Sequence, residues 1–293
     1  IGIPGLPLLN GFVSVDIAAS NGDGVSLLRE LSGPNLSGAV AFGSLISARV
    51  PVDVLDDLAL DPKVTFVRPS YSITDAGSVL SEGDAAMRAD DARAAQGIDG
   101  SGITVGILSD SFDTSSGAID YADDVASGDL PAGVTILDDS IANGSDEGRA
   151  MAQLVFDVAP SADLAFHTAF GGQAAFASGI QDLAAIADVV VDDVRNLAEP
   201  MFQDGIIAQS VQQAFGNGIA YFASAGNYDR ASYESAYTAA AVPSAVAPNL
   251  PYTYDSAHDF DPGAGVDALQ SFSLTPGQAI WLSFQWDEPF FSA

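Results

Sequence analysis

Between residues 101 and 250, short apolar runs alternate with helical patterns, and this alternation restricts the fold more than any other feature of the chain. Ile103–Leu108, Leu164–Thr168, Val189–Val191 and Ile219–Ala223 are compact apolar runs with turn signals at their ends. Helical periodicity at about Glu147–Val158, Ala174–Ala187 and Gly205–Phe215 lies between them. Strands covered on both faces read as continuous apolar runs, and parallel strands need long crossovers that helices supply. The expected fold class is therefore α/β, a doubly wound parallel sheet with helices on both faces.

The flanks read differently. Residues 1–75 run strand, helix, strand, strand, helix, strand: Gly11–Ile17, Val25–Leu31, Gly38–Ile46, Ala48–Val52, Val54–Leu60 and Val64–Arg68. A β-α-β-β-α-β order predicts a small ferredoxin-like α+β module. Residues 76–100 form a polar connector with one helix at about Glu82–Ala95. Residues 251–293 open an all-β module, with strands at Asp267–Leu274 and Gln278–Trp286 around a Thr275-Pro-Gly277 turn. Some 40 residues are too few to bury a β core alone, so this tail is expected to pack on the α/β domain or be completed by other polypeptide.

Charge narrows the function classes. The 293 residues carry 39 acids and 9 bases, a net charge of −30. The acids are 33 Asp and 6 Glu, and the bases are 8 Arg and the single Lys63. Such a surface repels phosphate, which excludes nucleic acid and anionic lipid as partners. No run of 18 apolar residues occurs, so no membrane-spanning helix is expected. Without Cys there are no disulfides or thiolate metal sites. An Asp-rich, Lys-poor surface stays soluble where salt screens its self-repulsion, and the expected setting is secreted or extracellular, halophilic or marine.

Three segments carry candidate chemistry. The run Gly100–Asp113 ends a buried strand in acids, and the carboxyl ends of parallel strands are where open α/β sheets bind ligands, which singles out Asp110. In Ser145–Pro160, Glu147 heads a stripe with Met151, Leu154 and Val158 on one helical face. The same Glu suits the helix dipole, with Ser145 a ready N-cap. In Ile219–Asn227 an apolar strand runs into small residues and an Asn, whose side-chain amide can donate to a developing oxyanion.

Taken in order, these segments resemble the subtilisin and sedolisin superfamily of serine peptidases over about residues 90–230. Gln96–Asp110 is similar to the stretch leading to the catalytic Asp, and Phe222-Ala-Ser-Ala-Gly-Asn227 to the oxyanion motif. Val158–Phe166 resembles the segment after the base-bearing helix, and Val189–Asp193 falls where such enzymes line the substrate cleft. The resemblance implies a subtilisin-like sheet, an inhibitory propeptide in residues 1–75, and a catalytic set of Asp110, Glu147 and Asn227. Glu147 stands where subtilisins carry His, as in sedolisins. The sedolisin orienting Asp falls on Met151, so orientation passes to Asp110, which competes with Ser109 for the catalytic column. No Gly-Thr-Ser nucleophile segment occurs among the 293 residues. The nucleophile is expected beyond Ala293 or on a separate polypeptide, so this chain alone is not competent.

The resulting expectation is a secreted serine peptidase, or part of one, cleaving protein or peptide substrates by an acyl-enzyme route. The rival expectation is a non-catalytic relative that binds or assembles outside the cell, its unfinished β module accepting strands from neighbouring chains. No cofactor is required for either. Acids at Asp120–Asp124 and Asp255–Asp261 are candidates for structural calcium, though without EF-hand spacing. His167 lies on an expected buried strand and reads as a hydrogen-bonded core residue; His258 sits among the second acid cluster.

Overall fold

A computed structural model describes residues 11–31, 36–70, 72–73, 82–227, 232–245, 254–261, 263–271, 273–277 and 279–287. They divide into two compact units, residues 1–226 with 283–293, and residues 227–282. The first unit is mixed α/β, with one antiparallel and one parallel sheet.

The antiparallel sheet is built from β1 (Phe12–Ala19), α1 (Gly24–Leu31), β2 (Ser37–Phe42), β3 (Leu45–Pro51), a 3₁₀ turn at Val52–Val54, α2 (Leu55–Leu60) and β4 (Val64–Pro69). Its strand order is β2-β3-β1-β4. Alternation along β1 sends Val13, Val15 and Ile17 into a core with Ile46, Ala48, Val50 and Leu27. Asp16 lies on the other face, where it pairs across the ladder with Ser47 and accepts a 2.7 Å hydrogen bond from its hydroxyl. The expected strand Gly38–Ile46 is split in two by a reversal at Gly43-Ser44. Gly43 takes φ 56°, a left-handed conformation that glycine adopts at little cost.

β5 (Ser72–Ile73) pairs antiparallel with the later β10 (Arg195–Asn196). The connector helix is two helices, α3 (Gly83–Met87) and α4 (Ala89–Gln96), broken at Arg88 with φ 60°. Arg93 ties α4 to Asp84 at 2.7 Å and donates to the carbonyl of Val158 at 2.8 Å.

The parallel sheet follows: β6 (Thr104–Ser109), α5 (Tyr121–Ser127), β7 (Thr135–Asp138), α6 (Glu147–Val158), β8 (Asp163–Thr168), α7 (Gln173–Ala184), β9 (Val189–Asp192), then β10, α8 (Ile206–Gly216) and β11 (Ala220–Ala223). Its order is β11-β9-β6-β8-β7, with every pairing parallel. The four expected strands and three expected helices are present. α5 and β7 are additions, from a polar stretch whose periodicity is too short to read. Val105, Ile107, Leu164 and Phe166 pack with Ala152 of α6 on one face. Leu108, Ala165 and Val190 pack with Phe176, Ile180 and Leu183 of α7 on the other. At Gly106 an added Cβ would lie 3.1 Å from the Leu183 side chain, so the missing side chain admits α7 to the sheet.

The antiparallel sheet meets this domain at the first turn of α7. Asp16 accepts from the Gln173 N–H at 3.0 Å, and the Ser47 hydroxyl oxygen accepts from the Ala174 N–H at 3.0 Å. Both are donors that a helix leaves unpaired at its start. Glu199 does the same for α8, accepting from the N–H groups of Ile207 (3.1 Å) and Ala208 (3.0 Å) and from the Gln173 side chain (2.6 Å).

In the second unit β12 (Ala239–Ala240) pairs with β13 (Ala257–His258). The strands expected at Asp267–Leu274 and Gln278–Trp286 do not form among the described residues of those segments. A strand exists only when its backbone finds a partner. Here Asp259 accepts from the N–H groups of Asp261 and Asp267, a pattern of turns rather than of a ladder. Residues 283–287 belong to the first unit, held by Ser283 on the Leu197 carbonyl (3.0 Å) and by Gln285 on the Glu199 carbonyl (2.9 Å).

Candidate active site

The centre of the site is set by β6, β9 and α6. In the parallel register Leu108 lies opposite Asp192, so Ser109 and Asp193 leave adjacent strands at the same carboxyl edge. α6 begins beside that edge, because Gly148 N–H donates to the Ser111 carbonyl at 3.0 Å. A Cβ on Gly148 would stand 2.3 Å from the Phe166 ring and 2.8 Å from that carbonyl. The glycine therefore lets the first turn of α6 press onto the strand ends.

Asp110 anchors this approach. Its carboxylate accepts from the Ser111 N–H (2.6 Å), the Ser145 hydroxyl (2.7 Å), the Glu147 N–H (3.1 Å) and the Ser145 N–H. The group is almost fully buried and occupied by donors at the helix start. Next to it Asp146, at φ 58°, accepts from Ser111, Thr114 and Ser115 and is bridged by Arg149 at 3.2 Å. Burial pushes the Asp146 carboxyl up, but those donors outweigh it and hold its pKa below the usual carboxylate value. Arg149 also reaches Asp124 (2.5 Å) and the carbonyls of Phe112 and Ile119 (2.9 Å each).

Glu147 contacts Asp110 through its backbone N–H, whereas its carboxyl lies beside that of Asp193, close enough for its charge to disfavour ionisation there. Glu147 Oε2 and Asp193 Oδ1 are both shielded from solvent. Burial is the main force raising the Asp193 pKa to about 7; the Ser109 hydroxyl pulls it down, and the charges of Glu147 and Asp192 push it up. Ser109 is fully buried and lies close enough to favour the ionised Asp193 without standard hydrogen-bond geometry. Asp192, buried beside it, is raised to about 6 by desolvation, against the Tyr221 hydroxyl and the Val194 N–H, which favour the carboxylate. Burial, with Asp192 beside it, likewise raises the Tyr221 hydroxyl.

The sequence-derived residues are thus placed as follows. Asp110 and Glu147 meet at the start of α6, with Asp110 bonded to the main chain. Asn227 is exposed and begins the second compact unit. Met151 packs in the apolar cluster beneath α6. The expected stripe Glu147-Met151-Leu154-Val158 is offset, since Leu154 is 47% exposed and the helix buries Gly148, Arg149 and Ala152. Asp193 is the partner that the reading of Glu147 missed; its signal was an apolar run ending in two acids at a parallel strand end. His167 is buried, with Nδ1 donating to the Thr168 carbonyl at 2.7 Å and Nε2 3.6 Å from Asp182. A Cβ at Gly179 would lie 2.6 Å from that ring, so the helix is cut to receive it. Asp120 caps α5 in a reciprocal box with Asp123, and Asp124 pairs with Arg149. Among the described residues no group of three His, Cys, Asp or Glu is arranged to hold a metal ion. No helix among them is long and apolar enough to cross a membrane.

No protein family matches this sequence, and no curated protein does. Among solved structures, the chain is similar to an epidermin leader peptide processing serine protease (EpiP) from Staphylococcus aureus. The overlap has 10% identity and a TM-score of 0.42, covering 74% of this chain and 61% of that one. The S393A mutant of the same protease gives 10% identity, the same coverage and a TM-score of 0.46. The chain thus spans about three fifths of the length of these structures.

Proposed function

We propose that this chain supplies the base-bearing part of a serine peptidase of the subtilisin and sedolisin kind. The observation that carries the reading is the carboxyl of Glu147, delivered by the first turn of α6 to the carboxyl edge of a parallel sheet and set against a second carboxyl. In this reading Glu147 is the general base, taking the proton of a serine hydroxyl as it attacks a peptide carbonyl, and Asn227 donates to the oxyanion. The nucleophile comes from polypeptide outside these 293 residues. The sheet order β11-β9-β6-β8-β7, with helices on both faces, supports a subtilisin-like wound sheet. The order β2-β3-β1-β4 supports a ferredoxin-like module serving as an inhibitory propeptide. The substrate is a peptide or protein, and the setting is extracellular.

The test uses the natural polypeptide with whatever follows or accompanies residue 293. Labelling by a serine-directed phosphonate and peptide hydrolysis, both lost in Glu147→Gln with the fold retained, are expected. Hydrolysis undiminished in Glu147→Gln refutes the base assignment, and absence of both signals in the natural material refutes the peptidase reading.

A further inference from the structure

We propose that Asp193, rather than Asp110, is the positioning residue for Glu147, and that the two carboxyls hold a single proton between them beside the Ser109 hydroxyl. The role assigned to Asp193 rests on the peptidase reading above; the shared proton does not.

Three placements carry the inference. First, Asp110 has no capacity left for a side-chain partner, because its two oxygens already accept four donors from Ser111, Ser145 and Glu147. Second, the register Leu108 opposite Asp192 places Ser109 and Asp193 side by side, facing the start of α6. Third, Ser109 is a fully buried hydroxyl with no hydrogen bond of standard geometry, and it lies against Asp193. A buried polar group of this kind calls for an acceptor, and the Asp193 carboxyl is the acceptor within reach.

Two carboxyls in contact cannot both ionise in a desolvated site, so they bind one proton and titrate as a pair. The groups facing Asp193 are Glu147 from α6, Ser109 from β6 and Asp192 from its own segment; Tyr221 of β11 faces Asp192 in turn. The protonated partner donates to the other and fixes its rotamer, as an orienting acid does for a catalytic base. With Asp193 holding the proton, Glu147 stays anionic and aimed. Once the pair loses that proton, the two charges repel and the alignment is lost. Burial and the Glu147 charge put the upper step of the pair near the raised Asp193 value of about 7.

The experiment has two arms. In the first, the 293-residue chain is labelled at Asp and Glu side-chain carboxyl carbons and titrated by NMR. The wild type is expected to show two linked steps at these residues, the upper near pH 7. Asp193→Asn is expected to abolish the upper step and leave Glu147 a single step, and Ser109→Ala to move the upper step higher. Independent titration of Glu147, unchanged in Asp193→Asn, overturns the shared proton. Asp193→Glu, which keeps an ionisable partner, serves if the amide variant does not fold, and it is expected to retain two linked steps.

In the second arm the natural, complete polypeptide is assayed for hydrolysis. Asp193→Asn is expected to lower kcat by roughly 10²-fold with KM little changed, and to remove the alkaline limb of the pH profile, with partial rescue by Asp193→Glu. An unshifted pH profile in an active Asp193→Asn enzyme overturns the positioning role while the peptidase reading stands. A polypeptide that neither hydrolyses peptide nor labels, yet whose 293-residue chain shows the linked titration, refutes the peptidase reading and the positioning role with it, and upholds the shared proton.

Discussion

Replacing Asp110 by Asn separates anchoring from orientation. Asn keeps the shape and one acceptor oxygen, but its NH₂ must face donors. If the oxygen serves Ser145, the Ser111 and Glu147 N–H groups, now at 2.6 and 3.1 Å from Oδ1, each meet a donor instead. A buried backbone donor left unsatisfied costs about 1–3 kcal/mol. Losing a negative charge at a helix start costs about 0.3–1 kcal/mol more. The site is almost fully buried, so water cannot restore these bonds. A loss of about 3 kcal/mol is expected, or roughly 6–12 °C in Tm for a unit of this size. Urea unfolding followed by far-UV circular dichroism measures it. A change below about 0.5 kcal/mol, the range of a neutral surface substitution, refutes the anchoring argument. The same variant is expected to leave the linked titration of Glu147 and Asp193 in place, and its disappearance would return the orienting role to Asp110.

Other substitutions test neighbouring parts. Gly148→Ala drives a methyl to 2.3 Å from the Phe166 ring and 2.8 Å from the Ser111 carbonyl, and is expected to cost about 1–3 kcal/mol by thermal unfolding. Arg149→Met strands Asp124 and Asp146, 4% and 6% exposed, and is expected to cost about 3–5 kcal/mol, with part recovered on adding Asp124→Asn. Burial is the main cause of a raised Asp16 pKa, against the Ser47 hydroxyl, Arg68 and the Gln173 N–H. The fold therefore keeps a proton that the unfolded chain loses near its ordinary value of 3.8. The resulting stabilisation is complete below that value and is lost as pH rises through the raised pKa. Asp16→Asn is expected to flatten this fall in the urea midpoint, and an unaltered pH slope would show that Asp16 ionises normally.

The parallel sheet was legible because buried strands and amphipathic helices leave strong local periodicities. Val189–Val191 and Leu164–Thr168 announce themselves wherever they pack. The helix start at Glu147 was also local, since a helix dipole acts within a turn, but the N-cap is Asp146 and not the expected Ser145, whose hydroxyl donates to Asp110 instead. What escaped was non-local. Nothing near Asp193 names Glu147 as its neighbour; the register of β6 with β9 and the docking of α6 on the residues that follow β6 together bring them close. The stripe on α6 was misjudged because Gly148 and Ala152, small residues that score weakly as apolar, form the face pressed against the sheet. The tail failed for a related reason: alternation marks strand-forming ability, but pairing depends on a partner that no local pattern identifies.

The first turn of α7 takes acceptors from residues far away in sequence, since Asp16 and Gln173 are separated by 157 positions. A helix start with its donors paired this way cannot be completed early in folding, because a very long loop must close first. Nor does it need global unfolding to come apart: lifting the antiparallel sheet away uncaps it. The amides of Gln173 and Ala174 should therefore lose deuterium protection as one group with the docked face of that sheet, ahead of the apolar centre of the same helix at Ile180 and Leu183. Hydrogen exchange along α7 thus reads out how often the antiparallel sheet lets go.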